Sequence, residues 1–405
     1  MKGFSLKTLL GSITYEPQLN LIAQMFFDEE KNKLAISKYR FQIDNSPYLL
    51  LENEYAKTLI GFDYNYIFLK KPKFGNNTGF FQRWGHTVEE DPMFSPIGPE
   101  ILDIEISVNG CPNACPFCYK NNKNIPPTNM SLNTFKMIID KIPRTLTQVA
   151  FGITGVKTNP DFIPMMEYCR SIGILPNFTL SGIDLTDPMA DQLSKVAGAL
   201  AVSAYQTDKN VCYNTVKMFT DRGMDQVNIH LMVSQETLQF AQEVLMDRVN
   251  DPRLSKLHAI VFLGVKPKGR AKDHYHSLTK EQYEDLVRFS LDKGFNFGFD
   301  SCSAPKFEAA IKHMNMDPRI VDRMVEASES CESSLFSAYI NTHGEYWHCS
   351  FAEEQDGQEF VDVVQAKDFI ADVWYSDPVK RFREKSIQSM KDGCRNCTIY
   401  PEINI

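Results

Sequence analysis

From Ile101 onward the chain alternates between two hydrophobic periods. Short apolar runs at Ile101–Val108, Gln148–Ile153, Leu175–Leu180, Ala199–Tyr205, Gln226–Val233 and Leu257–Leu263 have the length and composition of strands. Amphipathic stretches at Ser131–Lys141, Asp161–Ile172, Pro188–Val196, Lys209–Arg222, Gln235–Val249 and Lys280–Lys293 separate or follow them with helical spacing. Asn159-Pro160-Asp161 is a start signal for one helix, and Gly223 and Gly294 are stop signals for two others. Strands that alternate with helices predict a parallel sheet covered by helices. A seventh short strand is predicted at Phe295–Phe299. In barrels built this way, chemistry collects at the C-terminal ends of the strands.

Residues 1–98 follow a different pattern. Apolar runs at Leu19–Phe27 and Lys33–Phe41, joined by a charged turn, predict a hairpin, and Tyr48–Leu51 and Asn65–Leu69 add short strands. This is the signature of a small β-rich or α+β module. It serves either as a packing extension that covers one end of the core or as a substrate-recognition module. Residues 71–99 have linker composition, and Arg83, Trp84 and His86 within them are read as solvated loop residues that could reach over a site.

Candidate chemistry begins directly after the first strand. Cys111, Cys115 and Cys118 stand at spacing C-x3-C-x2-C. Three thiolates together suit a soft metal or an iron–sulfur cluster. A closed zinc site or a fully ligated cubane wants four ligands, and no further Cys or His follows within about thirty residues. Three local thiols therefore leave one metal corner open for something that is not protein. A half-built zinc site is the competing reading.

At these residues the sequence resembles the radical S-adenosylmethionine superfamily, including the aromatic Phe117 just before the third cysteine. The resemblance implies a partial (β/α)6 TIM-like barrel over residues 99–300. It implies a [4Fe-4S] cluster on Cys111, Cys115 and Cys118, with S-adenosylmethionine on the open iron. It further implies reductive cleavage to a 5′-deoxyadenosyl radical that abstracts hydrogen from a substrate. Phe117 then lies near the adenine. The turn after the second strand, Phe151-Gly152-Ile153-Thr154-Gly155, lacks the family's glutamate, so Gly152 and Thr154 are left to approach the methionine end. Ser203 takes the ribose position, and Asn228 shares one strand face with His230, either for one of them to meet cofactor or substrate or as a satisfied polar pair inside the barrel. Lys266, Lys268 and Arg270 form a basic loop after the sixth strand, either a grip for an anionic substrate or a solvated loop.

Seven cysteines remain. Cys169 and Cys212 sit in amphipathic stretches as small apolar residues. Cys331, Gly344 and Cys349, followed by Cys394 and Cys397 at C-x2-C, resemble the Twitch domain, a shortened SPASM domain, over residues 301–405. That resemblance implies one auxiliary [4Fe-4S] cluster held by Cys331, Cys349, Cys394 and Cys397, with structural zinc as the alternative. Leu335–Ile340 and Glu345–His348 predict a hairpin around Asn-Thr-His-Gly. Cys302 and Asp300 follow the last strand. There Cys302 could serve as a hydrogen-atom donor or thiyl radical and Asp300 as a base, or Cys302 could be a buried thiol or a further cluster ligand.

Composition narrows the function class. The 405 residues carry a formal charge of −8, which argues against a nucleic-acid surface, and no apolar run reaches membrane-spanning length. Ten cysteines without a secretory leader point to metal chemistry in a reducing cytoplasm. The expected partners are S-adenosylmethionine, an electron donor such as flavodoxin or ferredoxin, and a peptide or small-molecule substrate. Oxidation or cross-linking of a peptide or protein is the first reading and oxidation of an anionic small molecule or nucleotide the second. An iron–sulfur electron-transfer or sensor protein is the non-catalytic reading.

Overall fold

The computed structural model describes residues 94–404, apart from 96, 97, 114, 144, 145, 147, 295, 329, 392 and 393, together with the backbone of nine strands nearer the N-terminus. The chain forms two compact units. The first holds residues 1–96 with two short segments from later in the chain. Its nine strands, from Phe4–Thr8 to His86–Val88, pair with their neighbours in order, all antiparallel. The hairpin expected from the two apolar runs is Leu21–Asp28 against Lys33–Arg40. The side chains of Arg83, Trp84 and His86 lie outside the described residues.

The second unit contains nearly all the rest. Seven strands, β1 Ile101–Glu105, β2 Gln148–Gly152, β3 Leu175–Leu180, β4 Leu200–Ser203, β5 Val227–Val233, β6 Ala259–Gly264 and β7 Phe297–Phe299, pair in sequence order, all parallel. Helices α1 Leu132–Lys141, α2 Phe162–Ser171, α3 Asp187–Val196, α4 Lys209–Thr220, α5 Leu238–Asn250 and α6 Lys280–Lys293 connect or follow them. This is the helix-covered parallel sheet that the alternating pattern predicts, in the form of the partial TIM-type barrel that the resemblance implies. The caps read from sequence are used. Asn159 accepts from the Asp161 amide at 2.9 Å ahead of α2, and Gly294 ends α6 in the left-handed conformation.

One boundary differs from expectation. The first strand stops at Glu105, and Ser107–Val108 leaves the sheet to pair antiparallel with Thr128–Asn129. That short pair, with Gly110 donating to the Ile125 carbonyl at 2.9 Å, closes the neck of the cysteine loop.

The helix-facing side of the sheet is packed by an aromatic chain. Phe135, Phe151, Phe162, Phe178 and Phe219 follow one another with ring centroids 5.4–6.4 Å apart. All five are buried, each worth about 1.5–3 kcal/mol relative to exposure. The opposite face is less filled: Asn177, Thr179, Asn228 and His230 are only half-buried. A barrel whose concave side is not packed solid has room for a ligand.

The predicted C-terminal hairpin forms as β8 Ser337–Ile340 and β9 Glu345–Trp347. Unexpectedly, it continues the barrel sheet: β8 pairs parallel with β1, and β10, Val361–Asp362, follows β9 at the edge. Among the described residues no helix is long and apolar enough to cross a membrane.

Candidate functional site

The first thiol site is a single loop at the C-terminal end of β1. Asn109 and Gly110 both have positive φ, which turns the chain sharply into Cys111. Burial pushes the Cys115 thiol up to about 11 and raises Cys111 as well, so loading with metal must displace protons. A hydrogen bond from Tyr205 and the charge of Arg270 favour the Cys115 thiolate, while the neighbouring thiols oppose it. The Phe117 ring stacks on Tyr205 at 6.0 Å and meets Tyr275 edge-on at 5.9 Å.

The basic loop does not stand free in solvent. Arg270 donates through Nε to the Cys115 carbonyl and through Nη1 to the Asn122 carbonyl, both at 2.8 Å, and its amide donates to the Cys118 carbonyl at 2.9 Å. Its Nη2 is buried without a hydrogen-bond partner. Gly269, at φ 60°, makes this approach possible, because a Cβ there would lie 2.4 Å from the Cys118 and Tyr119 carbonyl oxygens. Lys268 Nζ donates to the carbonyls of Ser350 and Phe351 at 3.3 Å and to that of Glu353. Lys266 donates to the Gly264 carbonyl at 2.7 Å and pairs with Asp300. Burial opposes the Lys266 charge, but Asp300 and Cys302 outweigh it and raise its pKa. All three cations expected to meet an anionic substrate therefore have partners inside the fold.

The remaining cofactor candidates surround the same end of the barrel. Gly152 closes β2 opposite Glu105, where a Cβ would make only ordinary contact at 3.4 Å. The Thr154 amide donates to Ser107 Oγ at 3.2 Å, which ties the turn to the loop neck. Ser203 pairs in register with His230, forming a polar row across β4 and β5. Burial holds His230 down at about 4, with Asp300 pulling the other way. Asn228 Oδ1 is buried and unpartnered. Asp184 Oδ1 is in the same state, beside the turn whose glutamate is missing: its other oxygen accepts from the Lys157 amide at 2.9 Å. No motif marks Asp184 or Tyr205 in the sequence, since their roles depend on which strand ends the fold brings together.

A second thiol-rich space is built from later parts of the chain. A cavity of about 340 Å³ is lined by Cys302, Cys331, Cys349 and Cys397, together with Asp103, Lys266 and Asp300. Burial pushes Cys349 up to about 12 and raises Cys302 and Cys397. Asp300 is not a free base, because it accepts from Lys266, from Ser303 Oγ and from the Gly264 amide. Cys394, expected among the cluster ligands, does not line this cavity: its sulfur donates to Glu308 Oε1 at 2.6 Å. Cys169 and Cys212 are buried, as their apolar settings predict.

A buried polar network ties the end of the cysteine loop to the C-terminal hairpin. Lys120, two residues after Cys118, pairs with Glu105 at 3.1 Å and with Glu353, and donates to the Tyr339 hydroxyl at 2.6 Å. Asn341 also donates to Glu353, at 2.9 Å. Burial works against the Lys120 charge, but Tyr119, Glu105 and Glu353 outweigh it. The rings of Tyr119 and Phe351 meet at 4.6 Å.

Among the described residues, no three His, Cys, Asp or Glu side chains converge on one metal-ion position. Cys302, Cys331, Cys349 and Cys397 instead border one cavity, as suits a cluster in which each cysteine holds a different iron. The unpartnered Arg270 Nη2 beside the first loop, and the Lys266 ammonium on the second cavity, suit an anionic cluster in each place.

No family model matches the sequence, and no curated protein does either. Solved structures match the fold. Streptococcus suis SuiB aligns with a TM-score of 0.52 at 16% identity, over 73% of this chain and 69% of its own. SuiB bound to precursor peptide SuiA gives 0.54 at 15% identity, over 76% and 70%. The anSMEcpe protein with bound AdoMet and Cp18Cys peptide gives 0.54 at 13% identity, over 75% and 94%. Architecture and motif point the same way: the chain shares the fold of SuiB and anSMEcpe, and its three-cysteine loop stands at the end of the first strand of that fold.

Proposed function

We propose that the chain is a radical S-adenosylmethionine enzyme acting on a peptide or protein, with one auxiliary iron–sulfur cluster. The observation that carries this reading is the three-thiol loop at the end of β1, tied by Arg270 and lacking a fourth protein ligand within reach in sequence. When bound, a [4Fe-4S] cluster and S-adenosylmethionine would supply the electron and the 5′-deoxyadenosyl radical for hydrogen abstraction.

This chain's residues would hold and orient those groups. Cys111, Cys115 and Cys118 would ligate three irons, with Arg270 offsetting their negative charge. Asp184, whose free carboxylate oxygen sits beside the degraded turn, would take the ammonium of the methionine in place of the absent glutamate. Phe117 and Tyr205 offer aromatic surface for the adenine, Thr154 and Gly152 form the wall of the turn, and Ser203 lies in reach of a ribose. Asn228 Oδ1 is a buried acceptor waiting for a donor, as an amide-bearing substrate would provide. The half-packed concave face would exclude water once a peptide covers it.

Two observations favour a peptide over an anionic small molecule. The cations that would grip an anion are bound within the fold. SuiB and anSMEcpe, which share the architecture, have each been solved with a peptide. The nine-stranded N-terminal unit is then a module for gripping the substrate chain. Oxygen-sensitive clusters fit a reducing cytoplasm and a flavodoxin or ferredoxin donor.

Anaerobic protein given reductant and S-adenosylmethionine is expected to release 5′-deoxyadenosine. Incubation with cell-extract peptides is expected to yield a product lighter by two hydrogens or newly cross-linked in mass spectra. Absence of 5′-deoxyadenosine from fully reconstituted, reduced protein would remove the enzyme reading.

A further inference from the structure

The C-x2-C pair near the C-terminus splits in the fold. Cys397 lines the cavity, with its sulfur accepting from the Tyr400 amide at 3.3 Å and its own amide fixed by Asn404 Oδ1 at 2.7 Å. Cys394 lies on the short strand Cys394–Arg395, paired with Met390–Lys391, and is buried against α7, Ala304–His313. Its partner Glu308 is itself held by Lys312 and by Ser328 Oγ, both at 3.1 Å. That side chain is anchored away from the cavity.

The position left open is taken by another thiol. Cys302 sits in the turn between β7 and α7 and lines the cavity with Cys331, Cys349 and Cys397. Ser303 Oγ and Lys266, both bound to Asp300, brace the turn from either side. The buried Lys266 ammonium lines the same cavity, where it would face a cluster sulfur or thiolate.

We propose that Cys302, Cys331, Cys349 and Cys397 ligate the auxiliary cluster, and that Cys394 stands outside it, bonded to Glu308. This assignment rests on the reading that the chain carries an auxiliary cluster. It removes Cys302 from the role of hydrogen-atom donor, because a thiolate bound to iron has no S–H to give.

The test uses full-length protein carrying C111A, C115A and C118A, so that any remaining iron belongs to the second site. Anaerobic reconstitution, iron and sulfide assay, and electron paramagnetic resonance after reduction are the readouts. The parent is expected to hold four irons per chain. Adding C394A is expected to leave iron content and spectrum unchanged, whereas adding C302A is expected to reduce iron to three per chain or fewer. Should C302A give no soluble protein, C302S is expected to keep a cluster with shifted g values, reflecting an oxygen ligand. A parent without iron removes the auxiliary cluster altogether. Iron lost with C394A but retained with C302A, or a C302S spectrum identical to the parent's, overturns the ligand assignment alone.

Discussion

The two thiol sites are built in opposite ways. The first takes all its cysteines from one loop of eight residues, Cys111 to Cys118, folded back on a neck that hydrogen bonds close. The second gathers thiols from four places: the turn after β7, the approach to β8, the end of β9, and the C-terminal segment. A ligand set made by local spacing is chemistry written into the sequence. A set made by tertiary contact depends on which side of a short strand each residue faces, and nearness in sequence then misleads. Cys394 and Cys397 are three positions apart, yet only one of them reaches the cavity.

The comparison can be broken most severely at the local site. Replacing Cys111, Cys115 and Cys118 together by alanine is expected to abolish 5′-deoxyadenosine release while retaining half of the iron bound by the parent. Iron assay and chromatography check both. Loss of all iron would mean that the second cavity holds no cluster of its own.

The network around Lys120 comes next. Lys120→Met leaves Glu105 and Glu353 buried without their cation, an expected cost of about 3–5 kcal/mol in unfolding free energy. Chemical denaturation of anaerobic holoprotein measures it, and a loss below about 1 kcal/mol would show that the network is not a buried support. Gly269→Ala sharpens the argument about close approach. Left-handed strain and contact with two carbonyl oxygens together predict a loss of about 2–4 kcal/mol and a displaced basic loop.

The smallest effect is one of pH. His230 is held at about 4 in the fold against an ordinary value near 6.5, so it is neutral when folded and takes up a proton on unfolding in between. Its contribution is complete above about pH 6.5 and is lost as pH falls toward 4. Between pH 7 and pH 5 the parent is expected to lose about 2 kcal/mol more stability than His230→Asn. Equal slopes in paired denaturation series would show that His230 titrates normally.

Much of the fold is legible from residue order alone. The seven strands and six helices of the barrel lie near the positions that apolar runs and caps mark, because burial on a helix-covered sheet leaves a strong periodic trace. The register that joins β8 to β1 is not legible, since a hairpin's sequence does not say which edge it will extend. At the site, Cys111, Cys115 and Cys118 announce themselves by spacing. Lys266, Lys268 and Arg270 stand out as cations, but their partners are carbonyls and a carboxylate supplied by distant segments, which no local pattern records. Asp184, Tyr205 and Lys120 carry no motif and gain meaning only from their neighbours.

The central claim is one open iron–sulfur site and one closed site in the same unit. Electron paramagnetic resonance of anaerobically reconstituted, reduced protein, recorded before and after adding S-adenosylmethionine, tests it most directly. Two cluster signals are expected, of which one changes its g values on addition and disappears in the C111A/C115A/C118A variant while the other is unmoved. A single signal, or two that both ignore S-adenosylmethionine, would contradict the account.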